Sequence, residues 1–270
     1  MPGLQIAVCV KFILDPKDIS EESIDPATGT INRTKYKLVI NPLDKHALFA
    51  ARQLQKIAGG AVTVVSMGPP SIAEDLTETL ALGADHAFLL SDPLFAGADT
   101  LATSYALACG IKKFVSDFDI ILCGARSLDG STAQVGPQLA THLEVTCVTN
   151  ISALSWKQDG FFNLRMKLED GYLSFAAKPP VLFTVNRDLN TPHPPTLMDI
   201  VMARSKNVAV ISTQDLDLDL NRVGLAGSPT RFKDMFYPPS KRKRKLFTGS
   251  PEEMVKTLLQ ELRTKGMFGQ

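Results

Sequence analysis

Apolar and polar positions alternate in two different ways along this chain. Through the first half, short β-branched runs are separated by longer stretches of helical period, the pattern of βαβ units that build a parallel sheet. It predicts strands over 5–12, 61–67, 86–90 and 118–123, and helices over 44–57, 71–82, 99–115 and 131–143. In the first helix Leu48, Ala51, Leu54 and Ile57 recur at helical spacing, and Gly59 and Gly60 stand after it as residues tolerant of left-handed geometry. Residues 20–33 hold Asp25, Pro26, Thr28, Gly29 and Asn32, the turn chemistry of a hairpin or excursion between the first strand and the first helix.

From residue 148 the pattern changes to successive β-prone runs at 161–168, 172–177 and 181–185, with Asp170 and Gly171 marking a tight hairpin between the first two. The sheet is therefore expected to gain antiparallel strands after its last βα unit. Beyond Asn186 come Pro192, Pro194 and Pro195, a strand-like run at 208–211, the glycine-containing segment 224–231 and Tyr237 with two prolines. Apolar anchors there are too scattered to bury a core of their own. A final helix is predicted over 251–265, with Ser250 as N-cap, Pro251 in the first position and Glu252 and Glu253 in the first turn. The expected division is an α/β domain over 1–190 and an arm with a helix over 191–270 that completes its burial on a partner.

Charge narrows the function classes. In 270 residues, 29 Lys and Arg face 28 Asp and Glu, which leaves no general field for nucleic acid or an anionic membrane. The basic run at 241–245 reads as a solvated loop. No stretch approaches the ~20 apolar residues of a membrane helix, and the N-terminal apolar run is cut by Lys11, unlike a signal peptide. Cys9, Cys109, Cys123 and Cys147 form no Cys-x-x-Cys pair and sit among apolar residues, so they read as buried thiols of a reducing, cytoplasmic compartment rather than a zinc or disulfide framework.

Ligands of a parallel sheet bind outside the carboxyl ends of its strands, and the loops there are distinctive. The loop after the strand at 118–123 runs through Gly124, Ala125, Arg126, Ser127, Leu128, Asp129, Gly130, Ser131, Thr132, Ala133, Gln134 and Val135. Gly124 permits close backbone approach, and Gly130, Ser131 and Thr132 set amides and hydroxyls at an expected helix end, a cradle for a diphosphate. Arg126 adds a cation for phosphate or flavin oxygens, and Asp129 is assigned to capping amides or a hydroxyl. The loop 95–103 again delivers a helix N-terminus, with Asp99 as N-cap and Thr100 and Thr103 on one helix face. Asn41, Pro42, Leu43 and Asp44, and the stretch from Ser66 through Met67 to Pro69, suit an adenine edge. Each of these loops also fits plain capping or αβ punctuation. Gly-x-Gly-x-x-Gly at a strand end, Gly-Lys-Ser/Thr and a nucleophile elbow are missing from the sequence, which disfavours an ordinary dinucleotide dehydrogenase, a triphosphatase or a hydrolase. His46, His86, His142 and His193 lack partners at metal spacing and read as structural. The chain looks built to hold a nucleotide without an acid, base or nucleophile of its own.

The residues that make the pattern specific are Val10 with Lys11, Asn41 with Pro42, the run 81–85, the run 129–137 and the tail 224–231. Together they resemble the β subunits of electron transfer flavoproteins over essentially the whole chain. The resemblance implies a doubly wound, mainly parallel Rossmann-like sheet of the adenine-nucleotide hydrolase type, with added antiparallel strands and an extended C-terminal arm. It implies a heterodimer with an α subunit that carries the redox FAD. Ordinary members hold structural AMP in the β subunit, whereas electron-bifurcating members hold a second FAD that accepts hydride from NADH. The run 96–103 resembles the bifurcating branch, whose further partners are ferredoxin and an acyl-CoA-type or hydroxy-acid dehydrogenase or reductase. Carried onto this chain, the resemblance puts Cys9 and Val10 against the nucleotide, and residues 41–44 and Met67 at its adenine side. Residues 124–135 wrap the diphosphate, with Thr100 and Thr103 as the extra grip. Leu197 matches the leucine that members insert into a partner dehydrogenase. Leu173 stands where an acidic or amide residue is usual. A stress or ligase-like protein on a related fold is the rival class, and such ligases carry a Ser-Gly-Gly loop after a first strand that here ends Val10, Lys11, Phe12.

Overall fold

A computed structural model describes residues 3–15, 17, 37–157, 159–231 and 244–267. The strands of the first compact unit, Met1–Asp234, are β1 (Leu4–Val10), β2 (Phe12–Leu14), β3 (Leu38–Ile40), β4 (Gly60–Met67), β5 (His86–Leu90) and β6 (Ile120–Gly124). After them come β7 (Thr146–Trp156), β8 (Phe162–Leu168), β9 (Gly171–Ala177), β10 (Val181–Val185) and β11 (Val208–Ile211). Its helices are α1 (Pro42–Ala58), α2 (Thr77–Ala81), α3 (Thr100–Phe114), α4 (Val135–Leu143) and α5 (Leu197–Ala203). Nine strands form one sheet in the order β11-β5-β4-β1-β6-β10-β7-β8-β9. Seven of them, from β11 to β7 in that order, run parallel; β8 and β9 add an antiparallel end.

The doubly wound arrangement follows from the two-residue period of the strands. On one face Ile6, Val8, Val64, Leu122 and Phe183 pack with Leu48, Ala51 and Leu54 of α1. On the other, Ala7, Val65, Ile121 and Leu182 meet Ala106 and Ile111 of α3 and Leu139 of α4. Burying each such aliphatic side chain is worth about 1.5–3 kcal/mol, so a parallel strand with both faces covered needs an unbroken apolar run, as at residues 6–10 of β1 and in β6.

Several expectations change in the structure. The helix expected over 71–82 is a 3₁₀ turn, Pro70–Ile72, followed by the short α2. Ile72, Leu76 and Leu80 are all buried at helical spacing, yet Thr77, Glu78 and Thr79 each donate to the carbonyl three residues back, so the apolar stripe survives on a tighter winding. The helix expected from 131 starts at Val135, because Ser131 (φ 51) and Ala133 (φ 56) are left-handed. β7 was not foreseen, and β10 is parallel and inserted between β6 and β7 rather than an antiparallel end strand. The hairpin between β8 and β9 turns on Glu169 and Asp170, since Leu168 pairs with Gly171. The expected excursion at 20–33 lies outside the described residues, but β2 and β3, which flank it, form an antiparallel ladder.

Residues after 190 do not separate from the α/β unit. Their β11 pairs with β5, and Leu216 and Val223 are buried with the α3 side of the core. The break falls instead at Met235, where the second compact unit begins. Within that unit α6 (Pro251–Thr264) starts on a capping box of Ser250 and Glu253 and has Glu252 and Glu253 in its first turn; Lys245 pairs with Glu261. Part of the basic run, 241–243, and Tyr237 lie outside the described residues. Among the described residues no helix is long and apolar enough to cross a membrane.

Candidate functional site

The order of the sheet places a crevice at β1. Its neighbours are β4 on one side and β6 on the other, so the chain winds away in both directions and the carboxyl ends of β1 and β6 flank the topological switch point. Cys9 and Val10 end β1, residues 41–44 open α1, and the loop 124–134 leaves β6. The expected site residues from these three segments are thus neighbours, and the α3 N-terminus joins them through one contact: Thr100 Oγ1 donates to Gln134 Oε1 at 3.0 Å.

Asp44 lies at the bottom of the crevice and is 6% exposed. Its Oδ2 accepts the Lys11 N–H at 2.8 Å and its Oδ1 the Gly124 N–H at 2.9 Å, so one carboxylate ties the ends of both strands. Burial pushes this carboxyl up to about 6, with the Lys11 and Gly124 amides, the Asn41 side chain and the Lys11 charge acting against it. Gly124 is demanded by the contact: a Cβ there would stand 2.4 Å from Asp44 Oδ1 and 2.7 Å from Leu43 Cβ. Asn41 occupies the N-cap position of α1 without capping it. Its amide instead donates to the Arg126 carbonyl at 3.0 Å and accepts the Leu128 N–H at 3.3 Å, pinning the loop. Pro42 supplies the first turn of α1.

The loop itself is shaped for an anion. Ser131 and Ala133 take left-handed backbone at φ 51 and 56, a conformation that costs roughly 1–2 kcal/mol per residue with a side chain. Left-handed residues alternating with others turn successive N–H groups to one side, the nest that binds phosphate oxygens. Among the described residues, no carbonyl is paired with the N–H groups of Thr132, Ala133 and Gln134. Strain of this kind concentrates at ligand sites. Asp129 accepts the Gly130 N–H at 2.7 Å and holds Lys11 Nζ at 2.7 Å. Burial works against its ionisation, but the Lys11 contact and charge, Ser127 and Gly130 keep its carboxyl below the ordinary value. Lys11 was not expected here; Asp129 would otherwise repel the anion, and the pair cancels that charge. Arg126 and Leu128 are both exposed.

On the α3 side, Asp99 caps the helix by accepting from Leu101 and Ala102, and Thr103 is half-buried one turn on. Cys9 and Met67 belong to the core face of α3, whereas Val10 points to the α1 side. Burial, with Asp44 adding a little, pushes the Cys9 thiol up to about 12; burial also lifts Cys123 well above its ordinary value. Both therefore stay protonated at neutral pH and offer no nucleophile. Ser66, one residue before Met67, is buried with its hydroxyl unpartnered among the described residues, and so is Ser91 after β5. Ser66 opens the stretch expected at an adenine edge, whereas sequence reasoning passed over Ser91; a serine at the carboxyl end of a parallel strand is the signal that marks it. The histidines stand apart: His46 Nδ1 meets Asn190 Oδ1 at 2.9 Å, and the His193 ring meets Phe49 edge-on. Among the described residues no three His, Cys, Asp or Glu side chains are grouped to hold a metal ion.

A groove of about 660 Å³ lies elsewhere, between the later turns of α1, β7 and residues 189–199, with Phe49, Leu54, Trp156 and His193 in its walls. The expected docking residue Leu197 is beside it, 78% exposed at the start of α5. Thr196 and Asp199 form a capping box there, and Asp199 pairs with Arg52 at 3.3 Å.

Comparison with known proteins agrees with this geometry. The family model described as the electron transfer flavoprotein domain matches residues 28–216. The electron transfer flavoprotein subunit beta of Thermoanaerobacterium thermosaccharolyticum is 41% identical over 97% of this chain and 99% of its own. The subunit of the same name from Clostridium acetobutylicum is 43% identical over 85% and 86%. The caffeyl-CoA reductase-Etf complex subunit CarD of Acetobacterium woodii is 38% identical over 97% and 99%. The chain belongs to the electron transfer flavoprotein family, with the β subunits as its relatives.

Proposed function

We propose that this chain is the β subunit of a bifurcating electron transfer flavoprotein, and that the crevice between β1 and β6 holds FAD. The observation that carries the reading is the bond between Thr100 and Gln134. It joins the Thr100 hydroxyl at the α3 N-terminus, whose amides Asp99 caps, to the nest at 131–134, and a hydroxyl set beside a row of free amides matches a diphosphate better than the single phosphate of AMP. When bound, the flavin supplies acceptance of hydride from NADH and release of single electrons to ferredoxin and to the α-subunit FAD. The chain's own residues bind and orient. The N–H groups of 132–134 and the hydroxyls of Thr100 and Thr103 grip the diphosphate, Asp44 and Asn41 hold the crevice in shape, and residues 41–44 and Met67 stand at the adenine side. Arg126 would place positive charge beside the bound flavin. CarD, by its name a subunit of a caffeyl-CoA reductase complex, supports a dehydrogenase or reductase as the terminal partner, met through Leu197.

Leu197 and the helix of the second unit serve partners in this reading. In α6, Val255, Leu258 and Leu259 are exposed and no residue is buried, so the helix offers an apolar stripe to the α subunit. The cytoplasm is the proposed compartment. Counting cofactors released from the purified heterodimer tests the central claim: two FAD per heterodimer are expected, and one FAD with one AMP would establish the non-bifurcating form instead. Replacing Arg126 with Ala is expected to shift the β-flavin spectrum and slow its reduction by NADH; a variant unchanged in both removes that role from Arg126.

A further inference from the structure

Between β11 and the end of the described first unit, the chain makes a strap that the proposed function leaves without a task. Both of its ends are fastened to carboxylates that also cap helices. Asp92 Oδ1 accepts the Leu94 N–H of a 3₁₀ turn at 2.9 Å, while its Oδ2 accepts the N–H and hydroxyl of Thr213 at 3.0 and 2.7 Å. Asp99 Oδ1 caps α3 through Leu101 and Ala102, while its Oδ2 accepts the Thr230 N–H at 3.0 Å. Ser228, 2% exposed, locks the second end: its hydroxyl donates to the Gly224 carbonyl at 2.6 Å and accepts the Asp99 N–H at 2.8 Å. The fit is close enough to require glycine. A Cβ on Gly224, at φ 54, would stand 1.9 Å from the Leu94 carbonyl oxygen, and one on Gly227 would stand 2.0 Å from the Arg222 carbonyl carbon.

We infer that residues 213–230 form a positioning strap for the nucleotide cradle, with Ser228 as its key residue. An aspartate at an N-cap can rotate and still cap. Here its backbone N–H, one carboxylate oxygen and the helix amides are each held by a different partner, so the start of α3 has one placement. That placement sets where Thr100 stands, and Thr100 reaches across to Gln134 and the loop of left-handed residues. The strap thus acts on the cradle through α3 without touching a ligand. This inference rests on the nucleotide reading above.

The test compares the full-length wild-type chain, in complex with its α subunit, with Ser228→Ala and Thr213→Val, after removal of bound nucleotide. Titration with FAD and with AMP is read beside amide exchange and the urea midpoint. Ser228→Ala is expected to weaken FAD binding about tenfold, within the range of couplings produced by residues remote from a ligand. It is also expected to speed exchange at 100–104 and, across the gap, at 132–135. Thr213→Val, which loosens the end held by Asp92, is expected to speed exchange near 93–96, lower the urea midpoint similarly, and leave FAD affinity within about twofold. Equal affinity loss in both variants would reduce the effect to general destabilisation and overturn the strap. Unchanged affinity and exchange at 132–135 in Ser228→Ala would overturn it too, with the nucleotide reading intact. A wild-type complex that takes up neither FAD nor AMP in its β subunit would overturn the reading beneath it.

Discussion

Asp44 makes a quantitative prediction. Its carboxylate is buried under the crevice, accepts two backbone N–H groups, and titrates at about 6 instead of 3.8. The rise corresponds to ~3 kcal/mol of differential proton binding between the folded and unfolded chain. Because the folded chain holds the proton more tightly, that stability is fully present below the unfolded value of 3.8. It is lost as pH rises through about 6, and stability is flat above. Asp44→Asn has no proton to lose, so wild-type stability measured against this variant should fall by up to ~3 kcal/mol between pH 4 and pH 7. Asp44→Ala adds a second effect at all pH values: the Lys11 and Gly124 amides lose their acceptor, at about 1–3 kcal/mol each. Urea denaturation of the three proteins at half-unit steps from pH 4 to 8 measures both effects. A wild-type minus Asp44→Asn difference that is level across this window would refute the raised titration, and with it the account of the crevice floor as a desolvated carboxylate.

Other consequences are direct. Gly124→Ala forces its new methyl to within 2.4 Å of Asp44 Oδ1, so it should destabilise by about 1–3 kcal/mol and separate the two strand ends, visible as a lowered melting temperature and weaker FAD uptake. Ala133→Gly relieves left-handed strain at φ 56 and should stabilise the chain by up to ~1 kcal/mol; a loss of stability would show that the loop conformation is not strained. Cys9 and Cys123 should resist alkylation by iodoacetamide at pH 8 in the native protein, since burial keeps both thiols protonated, and mass spectrometry of a timed reaction would find them labelled after Cys109, which is only half-buried.

Much of this was legible in the sequence because the signals were local. The strands β1, β4, β5 and β6 announced themselves by short, mainly apolar runs, and α1 by the spacing of Leu48, Ala51 and Leu54. What escaped needed distant partners. β7 is half-exposed and interrupted by Asn150 at φ 56 and a register shift against β10, so its alternation is faint until β10 and β8 are placed beside it. The start of α4 was misjudged because Ser131 and Thr132 look like a capped helix end, and nothing within the segment shows that Ser131 and Ala133 turn left-handed. The clustering of site segments was foreseen from strand ends alone. The ties that shape it, from Asp44 to Gly124, Lys11 to Asp129 and Thr100 to Gln134, span 80, 118 and 34 residues, beyond the reach of any local pattern.

The place of β10 has a consequence for how the chain is made. It is a central strand, fully buried, yet it arrives after β6, β7, β8 and β9 and must slot between two of them. Until residue 185 has left the ribosome, β6 and β7 each present an unpaired edge, and the antiparallel end strands can zip only onto β7. Such late, non-local pairing makes for slow closure and a long exposure of sticky edges. A chain cut before Val181 should therefore fail to form the crevice, even though almost every residue that lines it has already been synthesised.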